Sequence, residues 1–216
     1  LVSTGGYMSL PFCIASKLLK IKIVLFEPNK VLGRSNKIIL KYAKKIICYH
    51  ETIINFPKIY ENKILIINSL MRKEAYDFEK KTNKEKLDTI KILVLGGSQG
   101  ASFFDQMIKD LIMRIYKLSK ISLSQQIFSL RKQKELENQY KKTGIEYEFF
   151  NYDRALYRKL NSFDIAITRS GASALAELAF FNIPFIAIPF PYAKDNHQFY
   201  NAKFYHDRNS CWLVNQ

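Results

Sequence analysis

The run Lys91-Ile92-Leu93-Val94-Leu95-Gly96-Gly97-Ser98-Gln99-Gly100-Ala101 takes a short apolar stretch straight into a glycine turn that opens a helical segment. Glycines at 96, 97 and 100 let the backbone turn tightly and approach a ligand, while the free N–H groups of the following helix favour an anion. Ser98 adds a hydroxyl at the same place. The chemistry this suits is phosphate binding; close packing of a strand on a helix is the competing explanation. A second turn repeats the device. Asp164-Ile165-Ala166-Ile167-Thr168 reads as a buried strand, and Arg169-Ser170-Gly171-Ala172-Ser173 leads into the helical run Ala174 to Phe181. Ser170 or Ser173 can cap that helix. Glu177, about one turn in, can accept both hydroxyls of a ribose, although a lone Glu on a helix is more often a solvated residue.

Two such turns act together only if their strands end at one edge of a sheet. The pattern predicts helix Pro11 to Lys20, strand Lys22 to Phe26, helix Ser35 to Lys44, and strands Lys45 to Tyr49 and Lys63 to Ile67. Arg72 to Thr89 turns highly charged and reads as a linker, with an exposed helix as the alternative. Beyond it come strand Ile92 to Leu95, helix Phe103 to Lys117, strand Leu123 to Phe128, helix Lys132 to Lys142 and strand Glu146 to Phe150. The strand at Asp164 follows, then Phe185 to Ile188, helix Asn196 to His206 and strand Cys211 to Val214. Strands separated by helices imply an α/β chain with parallel sheets covered on both faces and ligands at the carboxyl ends of the strands.

Composition narrows the chemistry less than the turns do. A formal charge of +15 attracts nucleotide phosphates, acidic lipid or nucleic acid alike. No nucleic-acid-binding signature accompanies the charge, so nucleic acid is not an expected partner. Cys13, Cys48 and Cys211 sit in apolar stretches and read as buried free thiols; His50, His197 and His206 are too scattered for a zinc site, and no metal or cofactor is expected. Glu177, Asn182 and three prolines interrupt the longest apolar segments, which fall short of the roughly 20 residues that span a bilayer. Leu1 to Ser16 lacks a basic leader and begins without Met, so the chain is expected to start inside something longer.

The motifs Gly5-Gly6-Tyr7-Met8-Ser9, Glu27-Pro28-Asn29, Gly96 to Ala101, Arg169 to Glu177 and Asp195-Asn196-His197-Gln198 with Asn201-Ala202 follow one order across the chain. In that order and spacing the chain resembles the bacterial peptidoglycan glycosyltransferases of glycosyltransferase family 28, the undecaprenyldiphospho-muramoylpentapeptide β-N-acetylglucosaminyltransferases. The resemblance implies a GT-B fold of two Rossmann-like domains, the N-terminal one incomplete here. Residues 1–72 correspond to part of the acceptor-binding domain, 73–90 to a charged linker and 91–216 to the UDP-sugar domain without its last helices. It also implies inverting transfer of N-acetylglucosamine from UDP-N-acetylglucosamine to an undecaprenyl-pyrophosphate-linked muramoyl pentapeptide, in peptidoglycan synthesis at the cytoplasmic face of the inner membrane.

Carried over residue by residue, Ser98 matches a nucleotide-sugar-contacting serine, and Ala172, Ser173, Ala174, Leu175, Ala176 and Glu177 match the uridine and ribose loop. Gln198 matches a sugar-contacting glutamine, Asn29 an asparagine reaching the donor sugar across the cleft, and Arg72 an interdomain arginine. Gly5 and Gly6 match the turn associated with the acceptor pyrophosphate. Asp195 is expected to cap the helix that follows it, and His197 to have a structural or supporting role. The family's opening glycine turn and its general-base histidine have no counterpart, and Phe26 and Pro28 replace its usual His and Gln. Weak or absent activity in isolation is therefore expected. The alternatives are a UDP-N-acetylglucosamine-binding module that needs a separate N-terminal polypeptide, and a basic protein adhering to anionic lipid or nucleic acid. Leu18 and Leu19 beside Lys17, Lys20 and Lys22 could meet an anionic membrane surface, or could equally be the end of a core helix.

Overall fold

The computed structural model describes residues 1–71, 73–78, 88–96 and 101–216, with the backbone alone for 101–103. Among the described residues ten strands form two parallel sheets. The first half contains β1 (Val2–Ser3), α1 (Ser9–Leu18), β2 (Val24–Glu27), α2 (Arg34–Ile39), β3 (Lys45–Cys48) and, after a 3-10 turn at Lys58–Lys63, β4 (Ile64–Ile66). Its four strands lie in the order β1-β2-β3-β4. The second half follows α3 (Lys73–Tyr76) and comprises β5 (Ile90–Leu95), α4 (Ala101–Ile115), β6 (Ile121–Gln126), α5 (Leu130–Tyr140), β7 (Glu146–Phe150), α6 (Leu156–Leu160), β8 (Ile165–Thr168), α7 (Ala172–Phe180), β9 (Phe185–Ala187), α8 (His197–His206) and β10 (Cys211–Leu213).

The second sheet runs β10-β9-β8-β5-β6-β7. Winding proceeds outward in both directions from β5 and β8, so these neighbours flank the topological switch point, where the loops diverge and leave a crevice. Gly96 at the end of β5 and the turn after β8 are thereby brought to one cleft. Burial on both faces explains the sequence of β5: Leu93 and Leu95 pack with Leu175 and Leu178 of α7, while Ile92 and Val94 pack with Phe104, Ile108 and Ile112 of α4. Those three α4 residues are four apart and fall on one helical face. In the first half Leu25, Ile46, Leu40 and Cys48 form a smaller core between sheet and helices.

The structure adds elements too short for periodicity to reveal: β1, the 3-10 turn, α3 and α6. Residues 79–87 of the expected linker lie outside the described residues; its first part, 73–78, touches the second half. Ala75 is fully buried, Tyr76 meets the Phe180 ring edge-on at 5.6 Å, and Phe78 does the same with Tyr157 at 5.7 Å. Residues 73–78 are thus docked on the core of the second half. All three cysteines are buried and free, as their apolar surroundings predict.

The halves meet along α8. His50, beyond β3, packs its ring 4.3 Å from that of Phe204; its burial there, with Lys30 and Arg208 nearby, lowers its pKa to about 4. Arg34 at the start of α2 pairs with Asp195 at 2.8 Å. Asp195 is therefore not the expected helix cap. Asp195 and Asn196 are both left-handed (φ 53°), neither side chain caps α8, and the Asp195 carboxylate reaches across the seam to Arg34, which lowers its pKa. No helix among the described residues is long and apolar enough to cross a membrane.

Candidate functional site

A cavity of about 490 Å³ opens at the carboxyl ends of β5, β6 and β8. Its walls include Gly96, Gln126, Thr168, Arg169, Gly171, Ser173, Ala174, Glu177 and Gln198, with Phe150, Tyr152, Arg154 and Tyr157 closing one end. Of the residues expected at a uridine and ribose loop, Ser173, Ala174 and Glu177 line it. Leu175 instead faces the core, fully buried, and Ala176 is also buried; Ala172 opens the helix outside the lining. Ser98 and Arg72 lie outside the described residues, as do Gly97, Gln99 and Gly100.

The two glycine turns differ in what their glycines do. A Cβ on Gly96 would sit 3.4 Å from the Phe104 ring, a close but ordinary van der Waals contact. At Gly171 an added Cβ meets nothing of the described residues within 4 Å, and φ is an ordinary −69°. Among the described residues neither strain nor crowding calls for glycine at 171, which lines the open cavity.

Gln198 is less free than expected. Its Oε1 accepts the N–H groups of Ser170 at 3.3 Å and Phe190 at 2.9 Å, so only its amide NH₂ remains to offer a ligand. Within the cavity wall Arg169, 4 % exposed, donates from Nη1 to the carbonyls of Ile188 and Pro189, both at 3.2 Å. It also lies 4.5 Å over the Phe104 ring. Burial lowers its pKa against the opposing pull of Asp105.

Asp105, 2 % exposed on α4, accepts a 3.2 Å bond from Gln125 at the end of β6. Desolvation raises its pKa to about 6, opposed by Gln125, Lys132 and Arg169, while Tyr140 of the neighbouring helix has its own pKa raised in part by Asp105. The folded chain thus holds a proton that the unfolded chain releases between about pH 4 and 6, and stability from this site is lost as pH rises through 6. Asp105→Asn, which keeps an acceptor for Gln125, is therefore expected to stabilise the protein by about 1–3 kcal/mol at pH 7.5 and by nothing at pH 3.5. Paired urea titrations at the two pH values check this; an equal effect at both would remove the burial argument.

A second, smaller cavity of about 250 Å³ lies at the seam, lined by Gly5, Gly6, Asn29, Arg34 and Asn36 from the first half and by Lys194, Asp195 and His197 from the second. His197 lines both cavities, and its Nδ1 lies 2.8 Å from the Lys194 carbonyl. That oxygen can only accept, so Nδ1 carries the hydrogen. Gly5 and Gly6 take φ of +82° and +83°, a region that L side chains rarely enter, so glycine is required at both.

Sequence reading passed over the centre of this second cavity. Glu27, 2 % exposed, accepts from Asn29 N at 3.2 Å and Asn29 Nδ2 at 3.0 Å on one oxygen, and from Gly33 N at 2.8 Å and Asn36 Nδ2 at 2.9 Å on the other. It lay within a quoted motif, yet nothing in a single sequence says that a Glu at a strand end turns inward. Among the described residues no group of His, Cys, Asp and Glu could hold a metal ion.

Residues 91–216 match the glycosyltransferase family 28 C-terminal domain, and residues 1–48 match the family 28 N-terminal domain. A Pelagibacter ubique protein named UDP-N-acetylglucosamine–N-acetylmuramyl-(pentapeptide) pyrophosphoryl-undecaprenol N-acetylglucosamine transferase is 47% identical over all 216 residues, which span 60% of that protein. A Rickettsia bellii protein of the same name is 32% identical, again over the whole chain and 62% of the relative. The chain thus spans about three fifths of the length of the curated relatives it matches. The crystal structure of Acinetobacter baumannii MurG superposes with a TM-score of 0.74 at 21% identity, covering 99% of this chain and 58% of that one. That likeness establishes the GT-B fold. With the C-terminal domain of the family matched over more than half of its residues, the chain belongs to glycosyltransferase family 28.

Proposed function

We propose that this chain carries the donor site of an inverting glycosyltransferase that moves N-acetylglucosamine from UDP-N-acetylglucosamine to the 4-hydroxyl of a muramoyl pentapeptide linked to undecaprenyl pyrophosphate. The observation that carries the reading is the 490 Å³ cavity at the switch point, with Glu177 in its wall and an uncrowded Gly171 at its mouth. Residues 91–216 would hold the donor, 1–72 the acceptor side, and 73–90 the connection. Uridine and ribose are assigned to the loop Ala172 to Glu177, the sugar to Gln198 and Asn29, and the acceptor pyrophosphate to Gly5 and Gly6. Arg72 and Ser98 complete the donor contacts in this proposal.

As the sugar–phosphate bond breaks, negative charge grows on the leaving UDP. N–H donors fixed at the turn after β8 would stabilise that charge without reorganising. The general-base histidine implied by the resemblance has no counterpart in His50, His197 or His206, and the base is left unassigned within this sequence. A second reading is a donor-binding module without transfer, favoured by the fact that the described residues lining the larger cavity all lie between 95 and 198.

A thermal melt with saturating UDP-N-acetylglucosamine tests the donor site, with UDP-glucose as control. At 100 times Kd a single site adds about 2.7 kcal/mol, a shift of several degrees. Glu177→Ala is expected to weaken binding about twentyfold through loss of the ribose acceptor. No shift for the unaltered chain would refute the reading, and binding without transfer to a lipid-linked acceptor would select the module.

Membrane attachment is proposed on the cytoplasmic face, through α1. Met8, Phe12, Leu18 and Leu19 are exposed there, and Lys17 lies 3.7 Å over the Tyr42 ring beside them. Apolar side chains with Lys17, Lys20 and Lys22 at and just beyond the end of the helix suit an interface of acyl chains and anionic headgroups. The chain is expected to sediment with vesicles containing anionic phosphatidylglycerol and to stay in solution with neutral phosphatidylcholine. Equal behaviour with both would remove the electrostatic part of this proposal.

A further inference from the structure

Asn201 lies on α8 at the seam between the halves, 2 % exposed, with both ends of its amide committed. Its Oδ1 accepts the Lys30 N–H at 2.8 Å, and its Nδ2 donates to Asn29 Oδ1 at 3.0 Å and to the Ser170 carbonyl at 3.2 Å. Beyond Asn29 the chain of bonds continues to Glu27; beyond Ser170 it continues to Gln198. One hydrogen-bonded line therefore runs Glu27, Asn29, Asn201, Ser170, Gln198, from the buried carboxylate of the first half to the donor cavity of the second.

The orientation of each amide along this line is fixed by its partners. Lys30 N–H can only donate and the Ser170 carbonyl can only accept, so Asn201 has one possible rotation. That rotation, with the Glu27 carboxylate on the other side, leaves Asn29 a single orientation too. We propose that Asn201 is a positioning residue for the donor sugar: it holds the Asn29 amide in register with the Ser170–Gly171 turn before the sugar arrives. The inference rests on the proposed donor site. Its physical content is preorganisation, since a polar group that is already oriented loses less freedom on binding.

Asn201→Asp is the discriminating variant. It has the same shape and still accepts from Lys30 N–H, but it sets an oxygen against Asn29 Oδ1 and the Ser170 carbonyl. Titration calorimetry with UDP and with UDP-N-acetylglucosamine should give a UDP affinity within about twofold of the unaltered chain. The extra affinity contributed by the sugar should fall about tenfold, the worth of one hydrogen bond to a properly held group. Equal weakening of both nucleotides would mean a merely structural role and overturn the proposal, as would an unaltered chain that binds UDP and UDP-N-acetylglucosamine alike. A chain that binds neither refutes the proposed function instead. The seam is then judged without ligand, by urea unfolding of Asn29→Ala, Asn201→Ala and the double variant. A double variant no less stable than the weaker single one supports the line of bonds, and additive losses overturn it.

Discussion

Glu27→Ala is expected to cost the first half of the molecule about 3–5 kcal/mol. The carboxylate is the common acceptor for four donors, Asn29 N, Asn29 Nδ2, Gly33 N and Asn36 Nδ2. Truncation leaves all four without it, and a buried donor without an acceptor costs about 1–3 kcal/mol. Water entering from the adjoining cavity offsets part of the sum. Domain stability is commonly about 5–15 kcal/mol, so a loss of this size takes the first half close to unfolding at growth temperature. Glu27→Gln retains the shape and one acceptor but turns an NH₂ toward donors, and should cost roughly half as much. Urea unfolding followed by far-UV circular dichroism gives the magnitude, and hydrogen exchange over residues 24–48 shows where the loss falls. A Glu27→Ala protein within 1 kcal/mol of the parent would mean that the four bonds stabilise nothing in solution.

Gly171→Leu should separate folding from binding. The backbone there suits any residue, and a Cβ meets no atom of the described residues within 4 Å. The melting temperature in the absence of ligand should therefore stay within about 2 °C of the parent, the usual tolerance of a site with no close neighbour for the new side chain. The leucine side chain, however, projects into the larger cavity, and UDP-N-acetylglucosamine binding should weaken about 100-fold or more, equivalent to about 3 kcal/mol of steric conflict. Gly171→Ala, with a single methyl group, should show a much smaller loss. If calorimetry finds the leucine variant binding the donor as well as the parent, the cavity at the switch point is not the donor site.

Why these two residues differ in legibility is instructive. Gly171 sits in a strand–turn–helix pattern whose apolar run, glycine and helical stretch are all local, so its place could be read from neighbours in the chain. The same holds for β5, β8, α7 and the alternation that predicts a parallel sheet. Glu27 is the opposite case: its role depends on Gly33 and Asn36 folding back over it, and a strand-end glutamate looks the same whether it turns inward or outward. Asp195 misled for a related reason. Its position before a helix suggests a cap, but two successive left-handed residues aim the carboxylate at Arg34, a partner 161 residues away in sequence. Gln198 carried the expected amide, yet the Ser170 and Phe190 N–H groups take its oxygen, which only the folded loop reveals. Short elements such as α3 were hidden because one helical turn holds too few residues to display a period, and its anchoring by Ala75 depends on a distant core.

The three sealed thiols have a use beyond packing. Burial pushes Cys48 up to about 12 and Cys211 to about 11, so neither supplies appreciable thiolate while the fold is closed. Alkylation must then wait for opening, and its rate becomes a clock for local unfolding. Cys13 on the inner face of α1 and Cys48 in β3 keep time for the first half, and Cys211 in β10 for the second. The molecule carries a built-in gauge for each half, readable by mass spectrometry with no label added, and it can report whether the halves open together or one at a time.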